Sequence, residues 1–168
     1  STLYVFGPGD KHEDGGPMRE DDIPEHVETM HIGYRQSKWV AERLLLLARE
    51  RGIPVAIYRP SRIAGHSHTG ACQTNDFVWR MIRACIDASS VFNQDMTMDM
   101  VPVDYVSEAI VHLSLRPESL NQVFHLTNPK VPRLDEIVEW SQSYGYPIRR
   151  EPYETWRARL KVAAERSN

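Results

Sequence analysis

Cysteine is scarce in this sequence: Cys72 and Cys85 are the only two among 168 residues. Two cysteines do not make the disulfide framework that staples small secreted domains, so we expect free thiols in a reducing, cytoplasmic compartment. The longest apolar run, residues 44–48, is far too short to cross a bilayer. The first residues also show no signal-peptide pattern. We therefore expect neither a membrane nor a secreted protein.

An excess of positive charge is also missing. The net charge is −3, and the basic residues are scattered without a basic run or an aromatic-basic stripe, so we expect no nucleic-acid partner. His66 and His68 have no Glu or Cys at zinc-site spacing, so we expect no metal. The 41% hydrophobic and 26% charged content is that of a globular protein long enough for a sizeable core.

Hydrophobic periodicity predicts an α/β fold. Residues 3–6 read as a buried strand already under way, which suggests a piece of a longer protein. Residues 33–51 predict a helix with Glu42 on its solvated face, and residues 55–58 a second strand. This strand-helix-strand order favours a parallel sheet. The remaining predicted elements are helices at 76–88, 106–115, 133–144 and 151–164, strands at 96–103 and 123–126, and a loop at 10–28.

The clearest chemical motif is a tyrosine and a lysine four residues apart, Tyr34 and Lys38, at the start of the first predicted helix. This spacing places both side chains on one face, one turn apart. A lysine ammonium beside a phenol favours the phenolate, and such a phenol can give a proton to a carbonyl oxygen as hydride reaches the carbon. Taken alone, an exposed surface pair is the more frequent explanation.

The context of this pair changes its interpretation. Residues 2–7 resemble the Ser/Thr-x-x-Val-Tyr/Phe-Gly segment of extended short-chain dehydrogenases. In that family the first hydroxyl residue of the segment binds the substrate carbonyl oxygen, and here that position is Thr2. A hydroxyl donor aimed at developing oxyanion charge suits this role.

Two further segments resemble the same family. Residues 59–65 are similar to its Arg-Pro-x-x-Ile-x-Gly segment, whose backbone passes beside the nicotinamide ring; an ordinary turn at a strand end is the alternative. Residues 101–106 are similar to its Val-Asp-Asp/Tyr-Val segment, in which we expect Asp104 to cap the following helix. The resemblance implies these cofactor contacts: Tyr34, Lys38, Arg59, Pro60, Ser61 and Ile63.

Other segments resemble one subfamily, the thioester reductases. These include the terminal reductase domains of nonribosomal peptide and polyketide synthases and the related carboxylic acid reductases. The likeness covers almost the whole chain. It is carried by residues 33–42, 69–70, 76–77, 124–129 and 145–148, with Tyr153 and Trp156.

The resemblance implies the C-terminal part of a Rossmann-like parallel sheet at residues 1–65. Residues 66–168 would form a smaller, mostly helical lobe that binds substrate and carrier. The cofactor would be NADPH, with NADH possible. The reaction would be reductive release of an acyl or peptidyl thioester from a phosphopantetheinylated carrier protein, supplied by upstream synthetase modules. A hemithioacetal would collapse to an aldehyde, which some members reduce to an alcohol.

In this scheme Tyr34 would donate the proton, Lys38 would favour its phenolate and anchor a cofactor ribose, and Thr2 would bind the oxyanion. The family's Gly-x-x-Gly-x-x-Gly phosphate loop is absent, because the glycines before residue 17 have no helix behind them. We therefore expect the isolated chain to bind NADPH poorly and to be inactive alone. Two alternatives stay open: a nucleotide-sugar epimerase or dehydratase, with Arg80, Arg83 and Arg149 as diphosphate contacts, and a non-catalytic carrier-binding module.

Overall fold

The computed structural model describes residues 1–7, 10 and 15–166, and the chain forms two compact units. The predicted division near residue 65, between a cofactor-binding part and a lobe that binds substrate and carrier, stays a prediction. The units are bounded as follows: unit 1 comprises Ser1–Thr69 and Met100–Pro129, and unit 2 comprises Gly70–Asp99 and Lys130–Asn168.

Helices and short strands alternate along the chain. In chain order they are α1 (Gly33–Glu50), β1 (Ile57–Pro60), β2 (Arg62–Ile63), α2 (Phe77–Asp87), β3 (Ser90–Phe92), β4 (Met100–Val101), α3 (Val103–Ser114), β5 (Val123–Leu126), α4 (Leu134–Ser143), β6 (Arg149–Glu151) and α5 (Tyr153–Arg166). The described residues also form three 3-10 turns, at Leu3–Val5, Val27–Thr29 and Pro117–Ser119. Among the described residues, no helix has the length and apolar content to cross a membrane.

Within the described residues, the named strands all pair in parallel. In unit 1, β1 pairs with β5 and β2 with β4, while in unit 2 β3 pairs with β6. Parallel neighbours need a crossover between them, and helices supply it here. The predicted α/β class with parallel strands is therefore confirmed.

Helix α1 ends one residue before the predicted end, for the predicted reason. Gly52 has φ +82°, a conformation that favours glycine, and its N–H donates to the carbonyl of Arg49. The predicted faces are wrong, however. Glu42, which we placed on the solvated face, is buried, whereas the apolar side chains of Leu44 and Leu47 on the same helix are largely exposed.

The first predicted strand is also wrong. Thr2 has extended backbone, but Leu3–Val5 is a 3-10 turn in which the Thr2 hydroxyl accepts a hydrogen bond from the Tyr4 N–H at 3.3 Å. A hydroxyl at this position satisfies a backbone donor locally and so competes with strand pairing. Much of the predicted loop at 10–28 is described and contains no helix or strand beyond the start of a 3-10 turn; residues 11–14 lie outside the described residues.

Other boundaries shifted by a few residues. Strand β1 begins two residues later than predicted, and the predicted edge strand at 96–103 shrinks to the two residues of β4. Pro102 lies at the N-cap of α3, which therefore begins three residues earlier than predicted. Strands β3 and β6 were not predicted, because three residues carry too little alternation to be recognised.

The two units have separate interiors. In unit 1, Val101, Val106 and Leu126 form a buried cluster against which the stacked rings of Tyr58 and Phe124 pack, 5.7 Å apart. Unit 2 contains a partly open apolar cavity of about 40 Å³. Its lining includes Met81, Cys85, Met96, Met98, Leu134 and Ile148.

Candidate active site

Tyr34 and Lys38 lie on the first two turns of α1, on one face. The Lys38 Nζ is 5.6 Å from the centre of the Tyr34 ring. Tyr34 is 55% exposed, so its phenol is accessible from solvent. An accessible phenol beside an ammonium is the arrangement that proton donation to a bound carbonyl requires.

Thr2 is buried beside the segment that follows α1 in sequence. Its hydroxyl donates to the carbonyl of Pro60 at 3.4 Å and accepts from the Tyr4 N–H. Two of the predicted site segments, fifty-eight positions apart, therefore lie side by side. The 3.4 Å distance is long for a hydroxyl donor, so this hydrogen bond is weak.

Tyr4 connects these segments to α1. The guanidinium carbon of Arg35, the neighbour of Tyr34 on α1, lies 5.2 Å from the centre of the Tyr4 ring. That of Arg62 on β2 lies 5.3 Å from the same centre. Cation–π contacts of this kind contribute about 0.5–1 kcal/mol each at exposed sites. The turn that contains Tyr4 thus contacts both other predicted site segments, one on α1 and one on β2.

The side chain of Arg59 is buried against helix α1. Its side chain is 2% exposed and ion-paired with the buried Glu42, so its guanidinium is enclosed by the protein. Only the backbone of Arg59 is left to contact a cofactor, and that contact stays a prediction. Sequence reasoning missed Glu42, although its position four residues after Lys38 on the same helix face was a usable signal.

The residues after Arg59 range from buried to half-exposed. Ser61 is buried, its N–H donates to Leu126, and its Oγ has no hydrogen-bond partner among the described residues. A buried hydroxyl without a partner is costly, so a polar ligand atom there would be favoured. Pro60 is half-buried, and Ile63 is 47% exposed. These residues fit the contacts that the resemblance implies for a nicotinamide cofactor.

His125 is a second polar residue that sequence reasoning did not single out. It lies opposite Arg59 in the β1–β5 register, with its Nε2 3.2 Å from an Arg59 terminal nitrogen. Burial lowers the pKa of His125, and the Arg59 charge lowers it further. A neutral ring can accept from the guanidinium, so His125 acts as one more partner of Arg59.

The predicted capping role of Asp104 is wrong. Asp104 is the second residue of α3, and the N-cap position is Pro102. Its carboxylate accepts from the N–H of Ser67 at 2.9 Å and from the Ser67 hydroxyl. These hydrogen bonds lower the pKa of Asp104 to about 2. Asp104 thus ties the segment after β2 to the start of α3, and its role is structural, as expected.

Residues 3–110, which include the Tyr34–Lys38 pair, match the NAD_binding_4 family, described as Male sterility protein. The chain belongs to this NAD-binding family. It is 41% identical over 156 residues to a linear gramicidin synthase polypeptide of Brevibacillus parabrevis, covering 93% of the chain and 3% of that polypeptide.

Two solved structures from synthetases resemble this chain. The terminal R domain from the myxalamid PKS-NRPS biosynthetic pathway is 45% identical, with a TM-score of 0.89 over 98% of this chain and 41% of that one. A thiolation-reductase di-domain from an archaeal non-ribosomal peptide synthetase is 26% identical, with a TM-score of 0.76 over 96% of this chain and 36% of that one. The predicted resemblance to terminal reductase domains is confirmed. The chain spans less than half of each.

Proposed function

We propose that this chain supplies the proton-transfer half of a reductase that releases a carrier-bound acyl or peptidyl thioester as an aldehyde. The observation that carries the proposal is the accessible Tyr34–Lys38 pair on α1, fastened through Tyr4 to the turn that begins at Thr2. The likeness to a terminal R domain at 45% identity supports the same reaction class.

The cofactor we propose is NADPH, with NADH as the alternative that a direct comparison of the two would decide. Tyr34, Lys38, Pro60, Ser61 and Ile63 would contact it, together with the backbone of Arg59. The unpartnered Ser61 hydroxyl supports this assignment. When bound, the reduced nicotinamide would supply hydride to the thioester carbon.

The chain's own residues would handle the oxygen of that thioester. Tyr34 would donate a proton to it, giving a hemithioacetal, while Lys38 would favour the phenolate that remains. The Thr2 hydroxyl, which donates only a long hydrogen bond to Pro60 and accepts from the Tyr4 N–H, would turn its proton to the developing oxyanion. Cleavage of the carbon–sulfur bond would then release an aldehyde and the carrier's free thiol. A second reduction of the aldehyde would give an alcohol.

The partner we propose is a phosphopantetheinylated carrier protein, with upstream synthetase modules in the same assembly. The likeness to a thiolation-reductase di-domain supports this partner. We propose a cytoplasmic location, which the free thiols of Cys72 and Cys85 support. The nucleotide-sugar alternative has weaker support, since Arg83, one of its expected diphosphate contacts, faces Asp87 at 3.7 Å.

The test uses the full-length protein that contains this chain, with an acyl-pantetheine thioester and NADPH. We expect thioester-dependent loss of the reduced-nicotinamide absorbance and recovery of an aldehyde by a carbonyl trap. Epimerisation or dehydration of a nucleotide sugar, without net oxidation of the nicotinamide cofactor, would support the epimerase or dehydratase alternative. Carrier binding in an NMR titration without any turnover would instead support a non-catalytic module, and both outcomes would contradict the proposal.

A further inference from the structure

The helix face that carries Tyr34 and Lys38 continues one turn further, to Glu42. Side chains four residues apart share a face, so these three residues form one row along α1. Exposure changes sharply along the row, from 55% at Tyr34 to 1% at Glu42. Glu42 is the one buried residue of α1, all of which is described. The row that begins with the proposed proton donor thus ends in a buried carboxylate.

Arg59 binds that carboxylate with a fork of hydrogen bonds. Its Nε lies 3.0 and 3.2 Å from the two carboxylate oxygens, and its Nη2 lies 2.9 Å from Oε2. The remaining donors reach the backbone carbonyls of Glu20 at 3.3 Å and Asp22 at 3.2 Å. The Phe6 ring covers the guanidinium, with its centre 4.8 Å from the guanidinium carbon. All three nitrogens are engaged, so the group cannot turn without breaking several bonds.

This ion pair joins the two elements that carry the proposed chemistry. Glu42 lies on α1 with Tyr34, and Arg59 on β1 immediately precedes Pro60, whose carbonyl accepts from Thr2. Strand β1 is itself held in register by β5. The pair is therefore a buried polar link between helix α1, which carries the proposed proton donor, and strand β1, whose Pro60 carbonyl accepts from the Thr2 hydroxyl.

Stability alone does not explain this arrangement. Desolvation offsets most of the attraction in a buried ion pair, and apolar replacements of similar volume often cost nothing. A bidentate fork does, however, fix distance and angle between two elements more narrowly than apolar contacts do. Displacing a reacting group by about 1 Å can cost about 100-fold in rate.

We propose that Glu42 and Arg59 form a positioning pair that holds Thr2 in place relative to Tyr34 and Lys38 during carbonyl reduction. The proposal rests on the function proposed above. Neither member of the pair touches substrate; each acts through the residues that it places.

The first test is Arg59→Lys in the full-length protein, since lysine keeps the charge but loses the fork. We expect kcat for thioester reduction to fall roughly 10- to 100-fold, with the KM for NADPH little changed. Arg116→Lys is the matched control, because Arg116 forms an exposed pair with Glu118 at 3.4 Å in the same unit. It should keep the wild-type kcat. Equal kcat values for the two variants would overturn the proposal.

A double-mutant cycle separates positioning from general loosening of the fold. In a Thr2→Val background the hydroxyl to be positioned is gone, so Arg59→Lys should lower kcat much less than it does alone. Strictly additive effects on kcat would show that Arg59 does not act through Thr2. Should Arg59→Lys fail to fold, Glu42→Asp shortens the carboxylate while keeping the charge pair, and the same cycle applies.

Hydrogen exchange measured by mass spectrometry gives a result that needs no turnover. We expect Arg59→Lys, but not Arg116→Lys, to increase amide exchange in the Leu3–Val5 turn and at the start of α1. Unchanged exchange in both variants would overturn the positioning pair. A wild-type protein that never reduces the thioester would overturn the proposed function instead, so the two failures are distinguishable.

Discussion

Unit 1 and unit 2 differ in what they bury. Unit 1 buries a carboxylate and a guanidinium, Glu42 and Arg59, together with hydroxyls that include those of Thr2 and Ser61. Unit 2 is built around an apolar cavity, and Ser90 is its one buried polar residue within the described chain. Buried charge costs free energy unless it is fully paired. Unit 1 bears this cost and unit 2 avoids it. The geometric constraints are therefore concentrated in unit 1.

One ion pair from each unit shows the same contrast. The Glu42–Arg59 pair is almost completely buried, with side chains 1% and 2% exposed. The Glu154–Arg157 pair of unit 2 lies on the surface of α5 with side chains 79% and 56% exposed. Exposed pairs contribute about 0–1 kcal/mol, whereas a broken buried pair leaves a charge without compensation. Changes in unit 1 should therefore lower catalytic turnover, and surface changes in unit 2 should not have this effect.

The largest effect should come from Tyr34→Phe, which removes the proposed proton donor and leaves its ring. We expect kcat with thioester and NADPH to fall by about 10²–10⁴-fold, the usual contribution of general acid catalysis. Tyr144→Phe is the control, because Tyr144 of unit 2 is 82% exposed and should not affect turnover. The measurement is steady-state oxidation of NADPH. Comparable losses in both variants would remove the distinction between the units.

A smaller effect is expected from breaking the buried ion pair. Glu42→Gln leaves the Arg59 charge buried without a counter-charge, so the free energy of unfolding should fall by about 3–5 kcal/mol. Glu154→Gln removes the same charge from an exposed pair and should change it by less than about 1 kcal/mol. Urea unfolding followed by circular dichroism measures both. A Glu42→Gln protein as stable as the Glu154→Gln protein would show that burial does not distinguish the pairs.

Sequence patterns predicted the parts of unit 1 that depend on local geometry. The four-residue spacing of Tyr34 and Lys38 placed them on one helix face, and Gly52 marked the end of α1. The same patterns failed for Glu42, because periodicity assigns a charged residue to solvent and does not reveal a partner seventeen positions away. Only the tertiary fold brings Arg59 to it.

Short elements were the other source of error. The hydroxyl of Thr2 caps a 3-10 turn where an apolar run indicated a strand, and the carboxylate of Asp104 binds Ser67 where its position indicated a helix cap. In each case the polar side chain could bind more than one donor, and the sequence does not say which donor it binds. The paired strands β3 and β6 were too short to show a pattern at all.

A third prediction concerns the apolar interior of unit 2. Met98 is 1% exposed and lines the cavity, so Met98→Ala enlarges a void that already exists. We expect the free energy of unfolding to fall by about 2–5 kcal/mol. Met98→Leu nearly conserves volume and should cost less than about 1.5 kcal/mol. Turnover of the folded Met98→Ala protein should persist, and a loss of kcat as large as that of Tyr34→Phe would contradict the contrast between units.

The smallest effect probes a feature that the two units share. A serine hydroxyl donates to a carboxylate in each, Ser67 to Asp104 in unit 1 and Ser90 to Glu151 in unit 2. These hydrogen bonds lower the pKa of both carboxyls, that of Asp104 to about 2 from 3.8. A carboxyl with a lowered folded-state pKa adds stability above its unfolded pKa and loses it as pH falls toward the folded value.

Ser67→Ala and Ser90→Ala should therefore raise the pKa of Asp104 and of Glu151, as measured by carbon-13 NMR titration of the carboxyl carbons. Neither value should return fully to normal. The Ser67 N–H still donates to Asp104, and the Arg159 guanidinium still lies 2.7 Å from Glu151. As pH falls below about 4, the wild-type protein loses the stability that the lowered pKa of Asp104 provides. This loss should be smaller in Ser67→Ala, because the folded and unfolded pKa values of Asp104 are then closer. An Asp104 pKa that stays near 2 would mean that backbone donors alone hold it, and that the resemblance between the two serine–carboxylate pairs is only geometric.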